Sequence, residues 1–268
     1  MPETTSAPHP PDLGVRQTLE HGVLRITIDR PTQLNAVTGR GLDAIATAFE
    51  SAAADPTVRT ALLTGTGRAF CTGVDLSTSD ALTGPDSSTT LDAANRAVAA
   101  IRAFPRPVVA AVNGPAAGIG VSLALISDLT IATRSAYFLL AFSRIGLMPD
   151  GGATALVEAS IGRARAMKMA LLAERVTAEE AVRTGLIAAE HDDASFGTAV
   201  DNLVRHLAGG PTLAYERIKN AVNEATIGQL DDAFSRERQG QLALAASEDF
   251  KAGLTAFLEK SEPNFRGS

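Results

Sequence analysis

The chain has 268 residues, 45% of them hydrophobic, with 24 basic and 30 acidic side chains and a formal net charge of -6. It is long enough to bury a sizeable core, and its acidic balance argues against a nucleic-acid partner, which needs a basic surface. Cys71 is the only cysteine, so no intrachain disulfide forms and a reducing, cytoplasmic setting is expected; no apolar run reaches the length of a membrane span.

In chain order, the opening "MPETTSAPHPPDLG" has neither the basic nor the apolar region of a secretory signal. Its Pro, Ser and Thr content predicts a disordered tail over residues 1–13. "VLRITIDRP" alternates, with Val23, Arg25 and Thr27 facing one way and Leu24, Ile26 and Ile28 the other, which predicts a strand ended by Pro31. Leu42, Ile45, Ala46 and Phe49 then recur at helical spacing until Asp55-Pro56. "VRTALLTG" reads as a second strand that leaves through the glycine-rich "GTGRAFCTGVDL". Residues 77–90 are polar with Gly-Pro punctuation and read as a mobile loop. A helix carrying Leu91, Ala94, Val98 and Ile101 follows, then a buried strand in "RPVVAAVNG", a helix in "PAAGIGVSLALIS" and a strand in "DLTIAT". From residue 154 onward the pattern reads as all helical. One helix is capped by Thr177 and Glu180, another starts at Pro211 with Leu213, Ile218 and Val222, and the last runs from about Ser247 with Phe250, Leu254 and Phe257. Strands alternating with helices predict an α/β fold with parallel connections. The division expected is a core over 14–205 and a C-terminal helical oligomerisation region over 206–268.

Two features carry candidate chemistry. One is Asp150 in "GLMPDGGAT"; between Asp92 and Asp150 the only other carboxylate is Asp128. Pro-Asp-Gly is also ordinary turn chemistry. The other is the pair of glycine loops "FCTGVDL" and "NGPAAGIGVS", each just after a strand. A helix start near Gly118 would expose amides to an anion, although the same glycines also permit tight turns. "GIGVSL" lacks the third glycine of a dinucleotide fingerprint, and no phosphate-loop lysine is present. His9, His21, His191 and His206 have no metal spacing, and no metal is expected. Cys71 reads as small buried packing, Asp75 as a structural hydrogen-bonding group, and Asp128 as a turn cap at a strand start.

Six segments resemble, in order, the enoyl-CoA hydratase/isomerase or crotonase family: "DRPTQLNAV", "LLTGTGRAFCTGVDL", "PRPVVAAVNGPAAGIGVSLALISDLTIAT", "FSRIGLMPDGGAT", "GRARAMKMALLAERVTAEEAVRTGLI" and "AFLEKSEPNF". The resemblance covers nearly all of the chain after the tail. It implies a spiral of ββα units followed by helices that build a homotrimer or hexamer. It also implies an acyl-CoA thioester as substrate and no cofactor beyond the coenzyme A that the substrate carries. Carried over by position, it puts two oxyanion-hole amides on Val74 and Ile119, and substrate contacts at Ala69, Cys71, Gly73, Asp75, Gly118, Ser122, Phe142 and Lys260. Arg30 and Lys260 match basic positions near the CoA phosphates, and Ile119 stands where many members have glycine, which would narrow the acyl tunnel.

The resemblance also bears on the reaction. The two glutamates of the family's hydratases fall here on Ser122 and Phe142, which cannot hold and deprotonate a water between them. Asp150 falls on the single catalytic acid of the family's β,γ-to-α,β isomerases. "AFSRIGLMPD" is similar to the ring-rearranging isomerase branch of the phenylacetate pathway, although the order Gly151, Gly152, Ala153 departs from the isomerase pattern. The expectation is a double-bond isomerase, with ring-epoxide rearrangement or non-catalytic acyl-CoA binding as alternatives and hydration disfavoured.

Overall fold

A computed structural model describes residues 13–76 and 87–268. All of the expected tail but Leu13, and the expected loop before Ser87, lie outside the described residues. The chain opens with β1 (Val15–Glu20), which pairs antiparallel with β2 (Val23–Ile28). Leu24, Ile26 and Ile28 of β2 are buried, as the alternation predicts. β1 escaped the sequence reading because it is an edge strand in which only Val15 is buried, so it has no apolar alternation to detect. α1 (Gly39–Ala52) is capped by Thr38, whose hydroxyl accepts from Gly41 N–H at 3.1 Å. It buries Leu42, Ile45, Ala46 and Phe49.

β3 (Thr60–Gly65), α2 (Ser87–Ala103) and β4 (Val108–Val112) follow. α2 begins inside the expected 77–90 loop; its first turn, Ser-Ser-Thr-Thr, carries no apolar residue to announce it. Next come β5 (Ala116–Ala117), α3 (Ile119–Leu125), β6 (Leu129–Thr133), β7 (Tyr137–Leu139) and α4 (Ala153–Leu172), which bends at Gly162. β8 (Val176–Thr177), α5 (Ala178–Thr184) and β9 (Ala189–His191) complete the core. β8 and β9 correct the expectation of an all-helical second half. Strands of two and three residues are too short to show a period of two.

The large sheet runs β1-β2-β3-β4-β6-β9 and is parallel beyond β1. A small sheet runs β5-β7-β8, and parallel bridges Val37↔Val74 and Cys71↔Ala116 extend its pattern toward the N-terminus. Each turn of the chain thus places a long strand in the large sheet, a short second strand beside the previous one, and a helix outside. This is the ββα spiral that the resemblance implies. Ile26, Leu63, Ala110 and Thr130 stand in register across the large sheet. Its other face, with Leu62, Val109, Ala111 and Ile131, is covered by Phe196, Val200, Val204 and Leu207 of α6 (Phe196–Ala208). The sequence boundary at 205/206 falls inside α6, whose exposed His206 lies in the last turn.

The C-terminal helices are α7 (Thr212–Ile227), α8 (Leu230–Ala245) and α9 (Glu248–Glu259). α8 packs on its own core and is tied to α2 by Arg102–Asp231 (2.8 Å) and Arg238–Asp92 (2.7 Å). α9 lies on the turn at Ile145, with Gly253 against that residue's backbone. Leu213, Ile218 and Val222 of α7 stay more than half exposed. Asp128 is not a turn cap: its carboxylate accepts from Val108 N–H (2.8 Å) and pairs with the buried Lys219 of α7 (2.9 Å). No helix among the described residues is long and apolar enough to cross a membrane.

Two asparagines fasten the exit from β3. Asn35, fully buried at φ 58°, accepts from Arg30 N–H (2.9 Å) and donates to the carbonyls of Thr66 (2.9 Å) and Ala69 (2.7 Å). Asn113 accepts from Gly65 N–H (3.1 Å) and donates to Gly67 (2.8 Å) and Ala69 (3.2 Å). Asn35→Ala takes the side-chain partner from Arg30 N–H and the Thr66 carbonyl, leaves the Ala69 carbonyl with Asn113 alone, and places alanine in the left-handed region. We expect a loss of about 2–4 kcal/mol in urea unfolding, whereas a change under about 0.5 kcal/mol would mean that the loop does not depend on this clamp.

Candidate active site

The two glycine loops meet at Gly73 and Gly118. Gly118 has φ 54° and ψ -129°, and a Cβ on it would lie 3.4 Å from Gly73 Cα and 3.8 Å from the Phe142 ring. A Cβ there would be in ordinary contact; the backbone conformation itself is what favours glycine. Val37 bonds to the residues on either side of Val74: its N–H donates to Gly73 O (2.9 Å) and its carbonyl accepts from Asp75 N–H (2.8 Å). The Val74 amide therefore points away from that ladder. Ile119 opens α3, so its N–H has no carbonyl one turn back within the helix. The residues expected to form an oxyanion hole are thus adjacent, and neither amide is used by regular secondary structure.

Asp150 ends the segment that follows β7 and sits just before α4, 6% exposed. Gly151 and Gly152 follow at φ 62° and 79°. A Cβ on Gly151 would run into Ile119 Cδ1 and approach Ser122 Oγ at 3.3 Å, so the Asp150 turn lies directly on α3. The Asp150 carbonyl accepts from Ser122 Oγ (3.1 Å) and Ala153 N–H (3.1 Å). Its carboxylate Oδ2 accepts from Gln241 Nε2 (2.9 Å). Burial pushes the Asp150 carboxyl up to about 7; the Gln241 hydrogen bond opposes that shift and the nearby Glu237 charge adds to it.

Gly73, Val74, Gly118, Ile119, Ser122, Phe142 and Asp150 therefore form one contiguous cluster. Ile119 is 1% exposed and packs on the Asp150 turn, so its side chain is a support for that turn as well as an expected tunnel wall. Ala69 and Cys71 are buried backbone elements beneath the loops: Ala69 O receives both asparagines, and Cys71 bonds through its main chain to Pro115 and Ala117. Burial pushes the Cys71 thiol up to about 12, which keeps it protonated and inert. Asp75 pairs with Arg30 (2.8 Å), and Arg30 also donates to Ala36 O (2.5 Å), so Arg30 directs Nη1 inward to this loop. Lys260 lies exposed at the end of α9, and no hydrogen bond or ion pair among the described residues joins its side chain to the cluster.

Gln241 and Glu237, both on α8, were missed by the sequence reading. They stand four residues apart on a helix of mostly polar composition, and nothing local says that this polar face is the buried one. No group of three or more His, Cys, Asp or Glu residues that could hold a metal occurs among the described residues.

The spiral of ββα turns defines the class, a protein of the crotonase fold. The chain belongs to the enoyl-CoA hydratase/isomerase family, whose profile matches residues 18–268. It is 40% identical over 253 residues to the 1,2-epoxyphenylacetyl-CoA isomerase of Escherichia coli (strain K12), covering 93% of this chain and 97% of that one. It is 34% identical over 247 residues to the 2,3-dehydroadipyl-CoA hydratase of the same strain, covering 91% and 95%. A crystal structure of an enoyl-CoA hydratase from Mycobacterium avium subsp. paratuberculosis K-10 superposes with a TM-score of 0.88 at 45% identity, covering 94% of this chain and 98% of that one. These relatives are isomerases and hydratases, and the chain is an enzyme of that class.

The raised Asp150 value has a thermodynamic consequence. Between the ordinary carboxylate value of 3.8 and about 7, the folded protein holds a proton that the unfolded chain releases. Stability attributable to this group therefore falls as pH rises through that window, and the penalty is complete above it. Asp150→Asn removes the ionisation, so its melting temperature relative to the parent should be several degrees higher at pH 8 than at pH 5. Equal differences at the two pH values would show that Asp150 is not desolvated.

Proposed function

We propose that the protein is an enoyl-CoA isomerase that moves a double bond from the β,γ to the α,β position with Asp150 as its one acid–base group. The observation that carries this reading is a buried carboxyl poised near neutrality on a turn packed against Ile119 at the start of α3; it is supported by the resemblance, which puts a hydratase's acids at Ser122 and Phe142. Asp150 as carboxylate takes the α-proton of a 3-enoyl-CoA. The electrons of the broken C–H bond move onto the thioester oxygen, where the Val74 and Ile119 N–H groups stabilise the enolate. Asp150, now protonated, returns the proton to the γ-carbon, and the electron pair flows back to leave the double bond between the α- and β-carbons. No water is added and no cofactor is needed beyond the coenzyme A of the substrate. A pKa near the working pH suits a group that must both take and give the same proton.

Similarity to the Escherichia coli 1,2-epoxyphenylacetyl-CoA isomerase favours a second reading, rearrangement of a ring epoxide on a CoA thioester at the same site. A panel of 3-enoyl-CoA and ring-epoxide thioesters separates the two. In the panel, Asp150→Asn should lower turnover roughly a hundredfold or more with little change in acyl-CoA affinity, and crotonyl-CoA should not be hydrated by either form. Undiminished turnover in Asp150→Asn, or hydration at a rate comparable with isomerisation, would sink the mechanism.

We further read the protein as a cytoplasmic homotrimer or hexamer. The exposed apolar residues Leu213, Ile218 and Val222 on α7 support an assembly by giving it a face to bury. Light scattering at micromolar concentration should give three or six times the 27.7 kDa chain mass; a clean monomer would refute this.

A further inference from the structure

Asp150 is gripped from a helix that comes more than eighty residues later in the chain. α8 presents Glu237 and Gln241, one turn apart, to the Asp150 turn, and they are 1% and 3% exposed. Glu237 spends its carboxylate on the turn itself. It accepts from Gly152 N–H (2.6 Å), Thr154 N–H (2.8 Å) and Thr154 Oγ1 (2.5 Å), which caps the start of α4. Gln241 donates from Nε2 to Asp150 Oδ2 at 2.9 Å, and its Oε1 is buried without a partner among the described residues. A buried amide that satisfies only its donor side is unusual, and here that one bond goes to the candidate base.

We propose that Gln241 and Glu237 are positioning residues for Asp150: Gln241 occupies Oδ2 and so reserves Oδ1 for the migrating proton, while Glu237 locks the Gly151-Gly152 backbone and keeps a negative charge behind the base. The proposal rests on Asp150 being the proton-transfer group. The pair acts in opposite senses. A donor to the carboxylate favours the ionised form, and a like charge nearby favours the protonated one, so the two together hold the group between a weak base and a weak acid. Other ionisable groups around the turn do little to disturb this balance. Burial pushes the Glu237 carboxyl up, and the hydrogen bonds from Thr154 and Gly152 and the charge of Arg236 oppose that shift; Cys71 stays neutral, and Asp75 on the neighbouring loop is paired with Arg30. α3 and the first turn of α4 carry no acid or base. α8 also pairs with α2 through Arg238–Asp92 and Arg102–Asp231.

The test uses full-length Gln241→Met, which keeps volume and loses the donor, and Glu237→Gln, which keeps shape and loses the charge. The ionisation of Asp150 is followed by the infrared band of its protonated carboxyl, assigned by its disappearance in Asp150→Asn, and kcat is measured against pH with a 3-enoyl-CoA. Gln241→Met should raise the Asp150 midpoint by roughly one pH unit, and Glu237→Gln should lower it. The rising limb of the kcat profile should move with each. A merely structural role would lower stability and leave both midpoints in place, and that result overturns the proposal. Should Glu237→Gln not fold, Gln241→Met and Gln241→Glu decide, since both should raise the midpoint; an unmoved midpoint in either one refutes the proposal. The infrared readout needs no substrate. Shifted midpoints in a protein that isomerises nothing would leave the positioning pair standing and remove the isomerase reading alone.

Discussion

Withdrawing a carboxylate from water makes its charge expensive, and the elements around Asp150 are arranged about that cost. α3 covers one side of the turn with Ile119 and Ser122, and α8 closes the other with Gln241 and Glu237. Full solvation would leave an ordinary acid, ionised at neutral pH and too weak a base to take a carbon-bound proton. Burial with no donor at all would leave a group that never ionises. One hydrogen bond from Gln241 lies between these limits, and the carboxyl is accordingly poised near 7 rather than near 4.

A second constraint is that the two glycine loops must leave the regular sheet without becoming slack. Asn35 and Asn113 meet it by replacing missing sheet partners with side-chain bonds, both converging on the Ala69 carbonyl. The small sheet then continues through single bridges at Val37–Val74 and Cys71–Ala116. Because each ββα turn lays its short strand beside the last, loops from different turns come into contact although they are far apart in sequence. The close approach at Gly73 and Gly118 follows from this, and glycine suits both positions because their φ values, 108° and 54°, lie where side chains are strained.

Ser122 and Phe142, where the resemblance puts a hydratase's glutamates, have partners of their own here. Ser122 donates to the Asp150 carbonyl and so holds the turn, and the Phe142 ring lies against Gly118 as an apolar wall. Exchanging two acids for a hydroxyl and a ring removes competing charge from the pocket and adds apolar surface to it. The two changes act in opposite senses on Asp150: fewer like charges lower its affinity for a proton, and added apolar surface raises it.

The sequence by itself determined the architecture and the candidate reacting groups. Apolar periodicity marks β2, α1, β3, β4 and β6, because a long buried face leaves a period that can be read locally. Ordered motifs point to the two glycine loops and to Asp150. Strands of two or three residues, the exposed edge strand β1 and the polar start of α2 leave no such signal. What only the tertiary structure decided is the environment of the site. That Asp150 is desolvated, that Ile119 and Ser122 support its turn, and that Glu237 and Gln241 reach it from α8 are matters of which faces meet across many intervening residues. A proton affinity depends on distances and on excluded water, and neither is written in the local order of residues.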